Sequence, residues 1–217
     1  MTGQAGARCA PSGAITLLAS AISYALAACV QVAPGEMTLP TPCADWDLEA
    51  LLAHLAASMA DLESALRTGH LDLEPDDPAT PAPDDPAIPA LDDPAIPAFY
   101  GDDPVELLRD RAANLLFACY AHHGPDRFVM VGGLPLPAGI VTCTGAVEVA
   151  VHGWDIRAAR GRGGSIPPAL ATRMLQLSPL LVTGREGLFG TPVRVPAQAS
   201  PGDQLVAYLG RHPEPPV

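Results

Sequence analysis

Apolar residues recur at Leu48, Leu51, Leu52, Leu55, Met59, Leu62 and Leu66, a spacing that places them on one face of a helix. Asp47 stands where a helix cap is needed and Gly69 where the helix should stop. Upstream, no charge interrupts Gly13 to Pro34, which predicts a helix over Ala14 to Val32, buried on most sides and ended by Pro34-Gly35. A third stripe, Leu107, Leu108, Leu115, Leu116 and Cys119, predicts a helix from Pro104 to His122. A glycine- and proline-rich loop, Gly132 to Gly139, then leads into the apolar segment Gly145 to Ile156. Within it VEVAVH alternates with period two, as a strand would, and valine favours strands. The three preceding helical patterns and the lack of a convincing hairpin favour a helix. Gly-Arg-Gly-Gly after Arg160 should end it. A fifth helix follows over Pro167 to Val182, then coil closing with a short helix over Asp203 to Leu209. The expected fold class is all-α, a four-helix bundle with a C-terminal helical and coil extension.

The division that follows is a disordered tail over 1–13, a bundle over 14–165 and an extension over 166–217 packed on the bundle. Residues 72–104 interrupt the bundle with low complexity. The motif DDPA recurs at Asp76, Asp84 and Asp92, and DDPV at Asp102. Proline breaks helices and the repeated acids repel, so an extended loop is expected there. This segment also explains most of the formal charge of −12: residues 72–110 hold 12 of the 24 acidic residues and a single arginine. The rest of the chain is nearly neutral. With no basic stripe and no interleaved aromatics, no nucleic-acid partner is expected.

Every one of the 12 basic residues is arginine, which excludes lysine Schiff-base chemistry. The cysteines, Cys9, Cys29, Cys43, Cys119 and Cys143, are odd in number and contain no CxxC pair. They read as reduced, mostly buried thiols rather than a disulfide framework. Leu26-Ala27-Ala28-Cys29 has the form of a lipoprotein cleavage box, but cleavage there would remove nearly all of the first helix. A cytoplasmic protein with no membrane partner is therefore expected.

The chemistry concentrates at Glu148 and His152. A carboxylate among Val147, Val149 and Val151 is costly to bury without compensation. On a helix, residues four apart share a face, so Glu148 and His152 would present an oxygen and a nitrogen to one point. On a strand they would stand about 13 Å apart at ~3.3 Å per residue, too far to share a metal. His54, at the edge of the second helix's stripe, is the candidate third ligand. Two histidines and a glutamate with an open fourth position form the pattern of a catalytic zinc or similar divalent site. Asp155, one turn from His152, is placed to orient it. Arg157 is a candidate for binding an anionic substrate or a plain exposed helix residue. His122 and His123 complement the third helix's dipole or touch the site. Trp46 and Trp154 read as core, and Cys43 as structural or catalytic.

Thr41-Pro42-Cys43-Ala44-Asp45-Trp46-Asp47, followed by Leu51-Leu52-Ala53-His54-Leu55, resembles the TPCxxW…LLxHL segment of the DinB-like superfamily. With Glu148-Val149-Ala150-Val151-His152-Gly153-Trp154-Asp155 it resembles the metal-binding bundle of mycothiol-dependent maleylpyruvate isomerases and their actinobacterial relatives. The tail from Pro192 to Arg211 is similar to the end of one actinobacterial branch. The resemblance covers about residues 14–211 apart from the acidic repeat. It implies a DinB-like four-helix bundle whose metal ligands are His54, Glu148 and His152. It further implies that the open metal position activates a low-molecular-weight thiol, mycothiol-like, for attack on a small electrophilic substrate, and that copies could pair as a homodimer. Two departures stand out: the isomerases carry an additional C-terminal domain for which no room is found, and the acidic proline-rich insertion is foreign to the family pattern. Three functions remain. One is a metal-dependent thiol transferase or thiol-assisted isomerase. Another is a metal-dependent hydrolase or lyase using activated water. The last is a non-catalytic bundle that binds a small molecule or partner.

Overall fold

Asp47 Oδ1 accepts the backbone N–H of Ala50 at 2.9 Å, the cap that starts the second long helix, and Gly69, with φ 77°, ends it. The computed structural model describes residues 11–30, 32–43, 46–71, 103–181 and 190–213. The elements are α1 (Pro11–Cys29), a short 3-10 turn (Pro34–Glu36), α2 (Leu48–Thr68), β1 (His70–Leu71), α3 (Pro104–Ala121), β2 (Phe128–Val131), β3 (Leu134–Pro137), α4 (Ala138–Ala159), α5 (Pro168–Leu181) and α6 (Pro201–Tyr208). The protein is mostly helical, as an all-α, DinB-like fold requires. The tail expected over 1–13 is corrected in part, because residues 11–13 already belong to α1. Most of the acidic loop, 72–102, and the end expected of the fifth helix at Val182 lie outside the described residues.

The whole apolar stripe of α2, from Leu48 to Leu66, is buried. In α3, Leu108, Leu115 and Cys119 are buried, while Leu107 and Leu116 pack at the margin. Helix α4 is the centre of the bundle, packed against both α1 and α2. That position accounts for its strand-like alternation: Val147, Val149 and Val151 are all buried because apolar residues are wanted on nearly every side. Its two glycines admit the neighbours. A Cβ at Gly145 would collide with Leu62 of α2, and one at Gly153 would lie 2.9 Å from Ala25 Cα of α1.

Helix α1 is long and apolar enough to cross a membrane by length and composition, and half of the window Ser12–Cys29 is buried inside the bundle. Arg160, at the end of α4, donates to the Ala28 and Val30 carbonyls at 2.9 and 3.1 Å, satisfying the C-terminal end of α1. It also pairs with Glu36 at 3.1 Å.

The segment expected as a plain loop is instead a hairpin. β2 and β3 pair antiparallel, Phe128 opposite Pro137 and Val131 opposite Leu134, and β1 joins β2 in parallel to give the order β1-β2-β3. Gly132 and Gly133, at φ 53° and 80°, form the two-residue turn whose left-handed backbone suits glycine. Val129 anchors this small sheet in the core. Beyond α4, Ile166, Leu170 and Met174 of the α5 region and Leu205, Val206 and Leu209 around α6 join the same core as the bundle.

Candidate metal centre

Two loci on neighbouring helices build the site. Glu148, His152 and Asp155 follow at intervals of four and three along α4, so they form one stripe. His54 and Ser58 face it from α2, one turn apart. A third locus is the loop before α2. There Thr41 Oγ1 donates to the Trp46 carbonyl at 2.9 Å and accepts the Cys43 N–H at 3.2 Å, folding Cys43 and Trp46 toward the helices.

The three residues expected from sequence come together. Donor atoms of His54, Glu148 and His152 all lie within 4.8 Å of one another. His54 Nε2 is 3.5 Å from Glu148 Oε1 and 3.4 Å from Ser58 Oγ. The side chains of His54 and Glu148 are 35% and 36% exposed, whereas that of His152 is 10% exposed. The cluster is thus closed behind His152 and open to solvent on the His54–Glu148 side. Burial alone would raise the Glu148 carboxyl, but the hydrogen bond from His54, the charge of His152 and the Ser58 hydroxyl hold it at about 2. It is a carboxylate at neutral pH, the form a cation needs. Asp61, two turns from His54 on α2, has its carboxyl pushed up by desolvation and by the Glu148 charge.

A second donor group, Cys43, His152 and Asp155, shares His152 with the first. Asp155 is fully buried. Its Oδ2 lies 3.1 Å from His152 Nδ1 and accepts from the Cys43 thiol at 3.3 Å. Arg211 completes the set: Nη2 donates to Oδ2 at 3.0 Å, Nε to Oδ1 at 3.3 Å, and Nη2 reaches Cys43 Sγ at 3.5 Å. Burial would raise the Asp155 carboxyl, yet the His152 hydrogen bond and the Arg211 charge outweigh it and lower it. Burial, with the Asp155 charge, pushes the Cys43 thiol up to about 12. Cys43 is therefore a protonated donor here and no nucleophile at neutral pH. Electrostatics separates the two groups. The Cys43–His152–Asp155 cluster already holds a cation, the Arg211 guanidinium, while the His54–Glu148–His152 cluster holds none among the described residues.

Several neighbours take places the sequence did not settle. Trp46, half-buried, packs against the core as expected and also stands beside the cluster, its ring centroid 4.4 Å from that of His54 and 6.2 Å from that of His152. Trp154 is buried as expected. Arg157 is spent elsewhere, donating to the Gly163 carbonyl at 3.0 Å. His123 Nδ1 sits 2.6 Å from the Tyr120 carbonyl, and neither His122 nor His123 joins a donor cluster among the described residues. Arg211 is the residue that sequence reasoning missed. Its only signal was its place in the tail motif, and its partner Asp155 lies 56 positions away.

A family model for the N-terminal domain of mycothiol maleylpyruvate isomerase matches residues 19–157. Among curated proteins, an uncharacterized protein of Mycobacterium tuberculosis (strain CDC 1551 / Oshkosh) is 26% identical over 179 residues, covering 79% of this chain and 83% of the relative. An uncharacterized protein of strain ATCC 25618 / H37Rv matches with the same identity and coverage. No solved structure gives a significant match.

Proposed function

The chain belongs to the mycothiol maleylpyruvate isomerase N-terminal domain family, and from that premise we propose that it is a metal-dependent enzyme of thiol chemistry, with His54, Glu148 and His152 as the ligands of a zinc-type cation. The observation that carries this reading is the convergence of two imidazoles and an ionised carboxylate within 4.8 Å, on the open side of a cluster whose other side is sealed. Two nitrogens and an oxygen are the donor chemistry of catalytic zinc sites, which keep one position open. A cation bound there supplies Lewis-acid activation of a thiol or a water at neutral pH.

The chain's own residues do the rest. Asp155, 3.1 Å from Nδ1 of His152, holds that nitrogen as the N–H and leaves Nε2 as the lone-pair donor. Glu148 supplies charge that offsets the cation. Trp46 forms an apolar wall beside His54, against which a small electrophile or the thiol's carbon skeleton can lie. The co-substrate is a low-molecular-weight thiol of the mycothiol type, and the reaction is transfer to, or isomerisation of, a small electrophile. The working compartment is the cytoplasm, supported by the half-buried α1, which the bundle needs for its core.

Elemental analysis of the purified protein, with His54→Ala and Glu148→Gln alongside, tests the site. About one zinc per chain in the wild type, lost in both variants, is expected. A zinc-offered wild type that retains no metal overturns the reading. Consumption of thiol that depends on an added electrophile then separates thiol chemistry from hydrolysis by activated water, because a hydrolase turns over its substrate without losing thiol.

A further inference from the structure

Arg211 lies 54 positions beyond the end of the family match. It nevertheless reaches the back of the candidate metal centre. The route begins with α6, whose last turn closes through Gly210 at φ 88°. The Arg211 N–H donates to the Val206 carbonyl at 2.9 Å, and the Gly210 N–H to the Ala207 carbonyl at 3.1 Å. This pair of bonds across a left-handed residue is a Schellman closure, and it reverses the chain. The reversal brings the guanidinium back onto the bundle, where Nη1 donates to the Leu209 carbonyl at 3.0 Å. Leu209 itself is buried, so the turn is fixed from beneath.

The guanidinium then grips both oxygens of Asp155, at 3.0 and 3.3 Å, with its side chain only 12% exposed. Arg offers a rigid planar fork, and two-point contact with a carboxylate sets orientation as well as charge. Asp155 Oδ2 also meets His152 Nδ1 and the Cys43 thiol. The thiol and the guanidinium both donate to Oδ2, and because an ionised carboxylate only accepts, the His152 Nδ1 facing the same oxygen must carry an N–H as well. A carboxylate surrounded this way has no orientation available that would turn it from the imidazole.

We propose that Arg211 is a positioning residue for the metal centre: together with Cys43 it locks Asp155, and Asp155 fixes the tautomer and ring plane of His152. This rests on the metal-site reading above for its consequence, but the lock itself is a property of the protein without metal. The segment C-terminal to the bundle is then part of the site rather than an appendage. Because four of the five N–H donors of Arg211 are committed to Asp155, Cys43 and Leu209 and its side chain is only 12% exposed, it acts through Asp155 and not on substrate.

The test uses the full chain with Arg211→Gln and Arg211→Lys, and Asp155→Asn as reference. Two quantities are read: histidine tautomers by 15N NMR of the metal-free protein, with His152 assigned by His152→Asn, and zinc affinity by competition with a chromophoric chelator. Wild-type His152 is expected as the Nδ1–H tautomer. Arg211→Gln should mix the tautomers and weaken zinc about 10- to 100-fold, the range seen when partners of ligating histidines are removed. Arg211→Lys, which keeps the charge but not the fork, should fold even if the glutamine variant does not, and should give a smaller loss. Unchanged tautomer and affinity in a folded variant, with only the melting temperature lowered, overturn the proposal. If the wild type binds no zinc, the metal-site reading fails, and the tautomer measurement still decides whether the lock exists.

Discussion

The indole of Trp46 packs on the imidazole of His54 with ring centroids 4.4 Å apart and planes tilted by 52°. This contact makes Trp46 a reporter of whatever happens at His54. The chain contains two tryptophans, and Trp154 is buried in α4. In a Trp154→Phe background, cobalt(II) bound by His54, Glu148 and His152 would sit within quenching range of the remaining indole. Titration should quench its emission and saturate at about one ion per chain. The same titration in Trp154→Phe/His54→Ala should show no saturable quenching. A saturable signal that survives loss of His54 would place the cation elsewhere.

Gly153 follows His152 directly and faces the other way, onto α1. A methyl group there would lie 2.9 Å from Ala25 Cα and 3.1 Å from Tyr24 Cδ1, closer than packed atoms tolerate. The backbone of α1 must move to make room. Overpacking of this kind costs about 1–3 kcal/mol. The gain in helix propensity from alanine, about 1 kcal/mol, opposes it. Gly153→Ala should therefore be destabilised by up to about 2 kcal/mol in denaturant unfolding. Gly163→Ala, where nothing lies within 4 Å, should be close to neutral. A Gly153→Ala variant stabilised by the full propensity gain, about 1 kcal/mol, would mean that α1 and α4 are not in close contact at this point.

Helix α2 could be read from sequence end to end, because its cap, its seven-residue apolar stripe and its terminal glycine are all local signals. The triad His54, Glu148 and His152 was also within reach, since two of its members share a helix face and the third sits at the edge of a clear stripe. The hairpin was not. Its glycines and prolines read as a loop, but Pro135 and Pro137 lie on β3, an edge strand, where proline is tolerated. Trp46 packs against the core as its residue type implies, but residue type alone could not show that it does so beside His54. Arg211 was invisible for a different reason: its meaning depends on Asp155 and Cys43, residues 56 and 168 positions away, and no periodicity encodes such a contact.

Asp47 closes the N-terminus of α2 through its hydrogen bond with Ala50, and that helix carries His54. Removing the side chain leaves an unsatisfied N–H at the first turn. Asp47→Ala should cost about 1 kcal/mol in chemical denaturation, and Asp47→Asn, which keeps an acceptor oxygen, a few tenths or less. An asparagine variant as damaged as the alanine variant would show that charge near the helix dipole, and not the hydrogen bond, is what matters here.

The Glu36–Arg160 pair gives the protein an acid-sensitive joint at the C-terminal end of α4. The hydrogen bond from Arg160, then that from the Ala33 N–H, lower the Glu36 carboxyl below its ordinary value of 4.5. Arg160 is nearly inaccessible and also holds the end of α1. A carboxyl whose pKa is depressed by folding stabilises the native state fully above its unfolded value, and that contribution fades as pH falls through the folded value. Wild type should therefore exceed Glu36→Gln in melting temperature at pH 7. The gap should hold down to about pH 4.5, narrow below it and vanish once both forms are uncharged. The amide keeps an acceptor for Arg160, so the comparison isolates the charge. A gap that stays constant from pH 7 to pH 3 would assign the stabilisation to packing around Arg160 rather than to the ionised Glu36.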